Sequence, residues 1–237
     1  IPLSGGYDSR FLLALLVDKG YENILAFTYG QKTGYEAEIA HEVCERLHIP
    51  WAFIDYDETL FSKLDKAEFE SYCRYASFGT SVPQEQEYFA IKKLIEIGLD
   101  ERTVFLPGFC GDVQAGSFIP DKFYEQRWIK NPITAKSYIE ENLTRKAQID
   151  LNTKTKGESF FEFYAQLEEW TSRERESKYL FNGVSASECD GVEWILPLWH
   201  NVVIEFLKKV PSDYHMEKRI YIYVLIERYF IVFGLAS

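Results

Sequence analysis

The sequence predicts an α/β domain in which helices flank a twisted parallel sheet of about five strands, with a helical annex. The first observation is alternation. Short apolar runs and amphipathic segments follow one another from residue 1 to about residue 110, at spacings that favour parallel strands joined by right-handed crossovers. The second is that the apolar runs lack polar alternation, which is typical of strands buried on both faces. The third is composition, because 46% of the 237 residues are hydrophobic and 16% are aromatic, which excludes a disordered chain.

Four apolar segments supply the strands of this alternation. The first is the end of a short strand at residues 1–3, and Ser-Gly-Gly follows it directly. The other predicted strands are residues 24–29, 51–55 and 103–106. Residues 24–29 have almost only apolar side chains, and residues 51–55 follow a proline.

The segments between these strands predict helices, because their apolar residues recur at helical spacing. They are residues 10–19, 36–48 and 84–97. Beyond about residue 120 the character changes. Residues 121–182 are rich in Lys, Glu, Tyr and Trp and contain no strand-like run, so we expect a helical insertion there. Residues 197–210 and 217–233 predict two further helices.

The net charge and the apolar pattern of the chain limit the classes of partner that we expect. Lys and Arg number 26 against 37 Asp and Glu, which gives a net charge of −11 and argues against a nucleic-acid partner. No apolar run approaches the roughly 18 residues of a membrane helix, and no secretory signal is present. The four cysteines form no pair with zinc-site spacing. We therefore expect a cytoplasmic protein with reduced thiols and no membrane partner.

Both ends of the sequence indicate a longer polypeptide. The first residue is Ile1, which already falls inside a predicted strand, and the last residues follow a long apolar run. We expect residues 1–237 to form one domain that is truncated at both termini. These residues include no glutaminase domain.

The most informative motif is the segment Ser4–Ser9, SGGYDS, which lies between a buried strand and a helix. Two glycines allow a tight turn whose backbone N–H groups can approach an anion closely. The helix that follows directs its N-terminal N–H groups at the same point. Asp8 would repel a bare phosphate, so its presence suggests a divalent cation between the two. The alternative interpretation is a Gly-Gly turn with a Ser or Asp helix cap.

This segment resembles the pyrophosphate loop, S-G-G-x-D-S, of the N-type ATP pyrophosphatases, the PP-loop superfamily. The resemblance implies an adenine nucleotide alpha hydrolase-like fold. It also implies that the loop holds the pyrophosphate end of ATP while the α-phosphate is attacked. The residues expected to contact the nucleotide here are Leu3, Ser4, Gly5, Gly6, Asp8 and Ser9.

Two further segments resemble the synthase domain of asparagine synthetase. The end of the second predicted strand and the acidic, Ala-rich helix after it are similar to the corresponding strand end and helix of that domain. This resemblance implies that adenine lies against Tyr29. Residues 107–116 match a Gly- and Asp-containing segment of that family, which implies nucleotide contact at Gly108 and a metal-binding role for Asp112 beside Asp8. Phe109 departs from the Glu of the family.

A last segment of similarity lies near the C-terminus, at residues 191–200. Its Gly-Val-Glu and Pro197 match that family, whereas Ile195 replaces an Arg. The resemblance implies a catalytic role for Glu193. Lys218, which follows at a predicted helix start, is a second catalytic candidate, because a cation there could stabilise transition-state charge. A salt bridge at the helix start is the alternative for Lys218.

Together these segments imply an asparagine synthetase-like, AMP-forming carbon–nitrogen ligase with ATP and Mg²⁺. It would adenylate a small-molecule carboxylate and then transfer nitrogen from ammonia or an amine, with a glutaminase domain or protein as one source of the nitrogen. Three alternatives remain open. They are a β-lactam-synthetase-like cyclising enzyme, favoured by an aromatic residue at position 109, a transfer-RNA modifying ATP pyrophosphatase, and a non-catalytic ATP-binding protein.

Overall fold

The computed structural model describes residues 1–31, 34–111, 115–117 and 160–235, without the side chains of residues 160, 161 and 163. Asp112 and most of the predicted insertion therefore lie outside the described residues. In chain order, the elements of the N-terminal half are helix α1 (Tyr7–Asp18), strand β1 (Ala26–Gly30), helix α2 (Tyr35–Leu47), strand β2 (Trp51–Asp55), helices α3 (Glu58–Ser62), α4 (Lys66–Ser77) and α5 (Gln86–Glu96), and strand β3 (Val104–Phe105).

The C-terminal half is mainly helical where it is described. A long helical stretch changes from α through π to 3-10 geometry between residues 160 and 184 and so covers the described part of the predicted insertion. In chain order, the elements of this half are α6 (Phe160–Trp170), a π segment (Thr171–Leu180), a 3-10 turn (Phe181–Val184), α7 (Ser185–Cys189), β4 (Glu193–Trp194), a 3-10 turn (Pro197–Trp199), α8 (Asn201–Leu207), α9 (Ser212–His215), a 3-10 turn (Met216–Lys218), α10 (Arg219–Leu225) and a second π segment (Ile226–Phe230). None of the helices in the described ranges is long and apolar enough to cross a bilayer.

Strand β1 is the centre of the first sheet. It runs parallel to β2, with Ala26 opposite Trp51. On its other edge, Pro2 forms a parallel bridge with Phe27, and the Leu3 N–H donates to the Phe27 carbonyl at 2.7 Å. The predicted order of parallel strand, helix, strand, helix, strand is confirmed for residues 1–55.

The prediction of one sheet of about five strands is wrong for the described residues. β3 pairs in parallel with β4, Val104 opposite Glu193, as a separate two-stranded sheet. Pro2 gives a physical reason. Ile1 and Leu3 direct their hydrogen bonds at β1, so Pro2 faces the opposite edge, where it has no N–H to donate to another strand. Phe105 instead packs against Phe27, with ring centroids 5.8 Å apart.

Helices cover both faces of the first sheet, each over its own apolar core. One core joins α1 and α2 to the C-terminal helices, and the other joins the opposite face to α4 and α5. Helices α1, α2 and α5 lie within about three residues of their predicted positions, whereas the sequence interpretation missed α3 and α4. Representative buried side chains are Leu3, Leu13 and Leu225 in the first core and Ile54, Tyr72 and Ile91 in the second.

Candidate functional site

A cavity of about 570 Å³ lies where residues 1–3 and β1 reach their carboxyl ends. Parallel α/β sheets bind ligands at this edge, and the volume suits a small-molecule ligand. Every predicted nucleotide-contacting residue except Gly5 lines this cavity, and so does Lys218. The predicted residues that line it are Leu3, Ser4, Gly6, Asp8, Ser9, Tyr29, Gly108 and Lys218.

The Ser4–Ser9 loop is shaped by its own two serines. The Ser9 hydroxyl accepts a hydrogen bond from the Ser4 N–H at 3.2 Å, and the two hydroxyl oxygens lie 3.3 Å apart. The Ser4 hydroxyl in turn accepts from the Gly6 N–H at 3.1 Å. These bonds span at most five residues, so the hydrogen bonds between the groups of the loop itself are local in sequence.

Helix α1 begins directly after this loop. Its N-cap is Gly6, in extended geometry, and no side chain caps the helix. This argues against the simple Ser or Asp cap that the sequence left open. The first N–H groups of a helix have no intrahelical partner, and α1 starts on the cavity wall with Tyr7 and Asp8. The helix start is therefore suited to bind an anion.

Two glycines let other segments approach this loop. A Cβ on Gly108 would lie 2.7 Å from the Ser9 backbone nitrogen and 2.9 Å from its Cα, so only glycine fits there. Gly5 faces away from the cavity. A Cβ on Gly5 would lie 3.1 Å from the Ile39 side chain, so this glycine packs against α2.

Asp8 is held by a distant part of the chain. The Tyr221 hydroxyl, on α10, donates to its carboxylate at 2.5 Å. Gly111 lies beside the same carboxylate, since a Cβ on Gly111 would be 3.0 Å from the Asp8 Cγ. Asp112 is outside the described residues, so the predicted pairing of Asp8 with Asp112 stays a prediction. In the described ranges, no group of three or more His, Cys, Asp and Glu residues could hold a metal ion.

A buried arginine, which the sequence interpretation did not single out, ties this loop to the end of the chain. Arg10 is 4% exposed and donates to the Gly6 carbonyl at 3.3 Å and the Leu235 carbonyl at 3.2 Å. Its guanidinium also lies over the rings of Tyr7 and Phe230, 5.1 and 4.9 Å from their centroids. Arg10 is thus a positioning residue for the loop.

The other end of the cavity contains a buried carboxyl group. Glu87, in the first turn of α5, is 5% exposed, and Tyr29 donates to its Oε1 at 3.4 Å. Burial raises the pKa of Glu87 to about 8, against the smaller opposing effect of the Tyr29 bond. Burial, with the nearby Glu87, also raises the pKa of Tyr29. Tyr29 stacks on Tyr56, with ring centroids 5.4 Å apart and planes 17° apart.

Sequence reasoning missed Glu87, although a weak signal was present. Glu87 lies at helical spacing from Ile91 and Leu94, so it occupies the apolar face of its helix. A carboxylate on such a face is costly unless it is paired or neutral.

Lys218 reaches the cavity from an unusual backbone. Both Glu217 and Lys218 have a φ of 56°, in the left-handed region that non-glycine residues rarely adopt. Glu217 pairs with Arg219 at 2.8 Å. Two such residues in sequence store strain, which is often found at functional sites. The geometry therefore favours Lys218 as a site residue, although its catalytic role stays a prediction.

Glu193 is not brought to this cavity. It is the first residue of β4, opposite Val104, and it is exposed to solvent. It does not belong to the cavity wall. Phe109 does line the cavity. Its ring packs over Gly183, since a Cβ on Gly183 would lie 2.6 Å from a ring carbon of Phe109.

Comparisons with known proteins match part of the chain. A family model described as "Queuosine biosynthesis protein QueC" matches residues 1–68. A 7-cyano-7-deazaguanine synthase from Methanoregula boonei is 30% identical over 119 residues, which cover 46% of this chain and 55% of the relative. A 7-cyano-7-deazaguanine synthase from Hahella chejuensis is 49% identical over 53 residues, 22% of this chain and 23% of the relative.

The chain thus aligns with about half or less of the length of these curated relatives. The family-model match includes the Ser4–Ser9 loop, α1, β1, α2 and β2. It gives no specific support to asparagine synthetase, because the family and both relatives carry other names. What it supports is the broader resemblance, that of a PP-loop ATP pyrophosphatase superfamily member.

Proposed function

We propose that this chain is an ATP-dependent ligase that activates a carboxylate as an acyl adenylate and then transfers nitrogen to it. The observation that carries the proposal is the Ser4–Ser9 loop. It lies on the wall of the cavity, at the start of α1, and within the region similar to the PP-loop family. The proposal needs this loop to hold a pyrophosphate group.

The residues of the cavity suit a magnesium–ATP complex. The N–H groups at the start of α1 and the two serine hydroxyls can donate to phosphate oxygens. Asp8 and Glu36 are the described acidic side chains nearest the loop on the cavity wall, and Asp112 is the predicted third carboxylate. Mg²⁺ is commonly held by one or two carboxylates, phosphate oxygens and water. When bound, it would neutralise charge on the departing pyrophosphate, and Lys218 would add a cation nearby.

The names of the relatives suggest the class of acceptor. A carboxyl carbon and a nitrile carbon have the same oxidation level, so a 7-cyano product can form from a carboxylate without an oxidant or reductant. The carboxylate oxygen attacks the α-phosphorus and pyrophosphate leaves. Ammonia then attacks the acyl carbon, AMP leaves with the former carboxylate oxygen, and a proton is released as the amide forms. The amide oxygen then attacks the α-phosphorus of a second ATP and pyrophosphate leaves. AMP departs with that oxygen, and release of the two N–H protons gives the nitrile.

We therefore propose a carboxylate on a heteroaromatic ring, such as a deazapurine, as the acceptor, and ammonia or an amine as the nitrogen donor. The fit of Phe109, an apolar aromatic residue on the cavity wall, supports an aromatic acceptor more than aspartate. Aspartate is the matched comparison, since it is the acceptor that the asparagine synthetase resemblance implied.

Product analysis tests this proposal. ATP labelled in its α-phosphate is incubated with the protein, Mg²⁺, ammonium, and either 7-carboxy-7-deazaguanine or aspartate. We expect labelled AMP and free pyrophosphate to form only with the deazapurine acid. Production of ADP and phosphate instead would contradict the proposal, and AMP formation with aspartate alone would return the acceptor to the asparagine synthetase class.

A further inference from the structure

The inference concerns Glu87, because one of its oxygens has no partner in a cavity that the proposed nucleotide would fill. Glu87 lines the same cavity as the Ser4–Ser9 loop. Its Oε1 accepts from Tyr29, but its Oε2 has no hydrogen-bond partner among the described residues. Buried polar groups nearly always have a partner. Because Glu87 lines the cavity, this buried oxygen without a partner points to a ligand that supplies the missing bond.

The neighbouring hydroxyls do not serve this oxygen. Burial raises the pKa values of Tyr56 and Tyr72, and the nearby Glu87 adds to both increases. However, the Tyr56 hydroxyl donates to the Gln86 carbonyl, and the Tyr72 hydroxyl donates to the Gln84 carbonyl. Each phenol has one proton to donate. Neither tyrosine can therefore donate to Glu87 without losing its present bond.

The chemistry of this carboxyl group follows from its surroundings. Tyr29, which donates to this carboxyl group, stacks on Tyr56, and the two rings make a flat aromatic wall beside it. A buried carboxyl group without a cation is stable in its neutral form. A neutral carboxylic acid has one O–H donor and acceptor oxygens. It can thus pair with a ligand edge that presents an acceptor next to an N–H donor.

We propose that Glu87 selects adenine as the base of the nucleotide, with its O–H donating to adenine N1 while its other oxygen accepts from the 6-amino group. This inference rests on the proposed function, because it assumes that the cavity binds a nucleoside triphosphate. The flat wall formed by Tyr29 and Tyr56 suits a purine ring. Guanine would be disfavoured, because its O6 acceptor and N1–H donor require the proton of the acid on Oε1, the oxygen that already accepts from Tyr29.

The test compares ATP, GTP and inorganic triphosphate as probes by calorimetry with Mg²⁺. Wild-type protein is compared with E87Q and E87L. Gln reproduces the donor and acceptor pair of a neutral acid, whereas Leu keeps the size and removes both groups. Glu85→Gln is the matched control, because Glu85 is exposed just before the same helix and makes no capping bond.

We expect wild-type protein and E87Q to prefer ATP over GTP by at least about 10-fold. E87L should lose about 10- to 100-fold in ATP affinity, the range for two lost hydrogen bonds, and leave triphosphate affinity unchanged. E85Q should behave as wild type. Thermal melting of E87L would check that it folds, and E87Q tests the idea independently if E87L does not.

Other outcomes would overturn the inference. Equal binding of ATP and GTP by the wild type would do so, as would an E87Q variant that loses as much ATP affinity as E87L. A loss of triphosphate affinity in E87L would show a general disturbance of the cavity instead of lost base selection. If wild-type protein binds triphosphate and neither nucleotide, the inference fails. If it binds none of the three probes, the proposed function fails as well.

Discussion

The two ends of the cavity are built in different ways. The phosphate end, as we name the Ser4–Ser9 loop with the start of α1 from its proposed ligand, is contiguous in sequence, and the hydrogen bonds within the loop span at most five residues. The base end, named in the same way, consists of Tyr29, Tyr56 and Glu87, which lie in separate parts of the chain and are brought together by tertiary packing. A local motif can be read from sequence because its chemistry and its geometry depend on the same few residues. An assembled wall can be predicted only in part, since the family resemblance pointed to Tyr29 but not to Tyr56 or Glu87.

The largest effect that we expect lies at the base end and concerns pH. Glu87 keeps its proton in the folded state up to a pKa of about 8, whereas it loses that proton near pH 4.5 when unfolded. Between these values the folded state binds the extra proton, so stability falls as pH rises and stops falling above about pH 8. E87Q has no such proton. The stability difference between E87Q and wild type should therefore change on the order of 3 kcal/mol from pH 5 to pH 8.

Urea denaturation of both proteins at several pH values measures this difference. Other titrating groups cancel in the comparison, including the ionisable residues Tyr29, Tyr56, Glu36 and Lys218 around the cavity. Burial also lowers the pKa of His215, but this histidine is present in both proteins. A difference that stays constant across this pH range would mean that Glu87 is not protonated in the folded protein.

At the phosphate end the largest effect should come from Asp8→Asn. The change removes a charge that the proposed metal would share with the phosphates, and such contacts are worth roughly 1.5–3 kcal/mol. Magnesium–ATP affinity should fall about 10- to 100-fold. Asp18→Asn is the control, since Asp18 is the last residue of the same helix and is exposed at the surface.

Calorimetry with and without Mg²⁺ separates the two possible roles of Asp8. A metal role predicts that the loss appears with Mg²⁺ and is small without it. Equal affinity for magnesium–ATP in Asp8→Asn and wild type would remove Asp8 from the metal site and leave the loop alone as support for nucleotide binding.

A third prediction concerns the contact that brings the β3 end to the loop. Gly108→Ala places a Cβ within 2.7 Å of the Ser9 backbone nitrogen, where no flexible side chain can give way. Overpacking of this kind costs about 1–3 kcal/mol. We expect a matching fall in unfolding free energy together with weaker ATP binding.

The same contrast explains how far sequence reasoning reached. Strand β2 and helices α1, α2 and α5 were predicted because the pattern of apolar residues that indicates each of them lies within one short segment. The predicted number of strands in the sheet was wrong because a hydrogen-bonded ladder between residues 1–3 and β3 depends on which backbone groups face each other. Pro2 has no N–H to donate at that edge. Glu87, Arg10 and Tyr221 were missed as site residues for a related reason. Each acts through a partner that lies distant in sequence, and composition does not reveal such pairs.

The smallest predicted effect tests whether the distant support of the phosphate end matters. Tyr221→Phe removes the hydroxyl that donates to Asp8 at 2.5 Å across 213 residues of sequence and keeps the ring that packs edge-on against Phe11. A single hydrogen bond contributes about 0.5–1.5 kcal/mol. Magnesium–ATP affinity should therefore fall about 3- to 10-fold, less than in Asp8→Asn. The double variant should lose no more than Asp8→Asn alone, because Tyr221 acts through Asp8. Additive losses in the double variant would show instead that Tyr221 supports the cavity independently, and that the phosphate end is less local than its hydrogen bonds indicate.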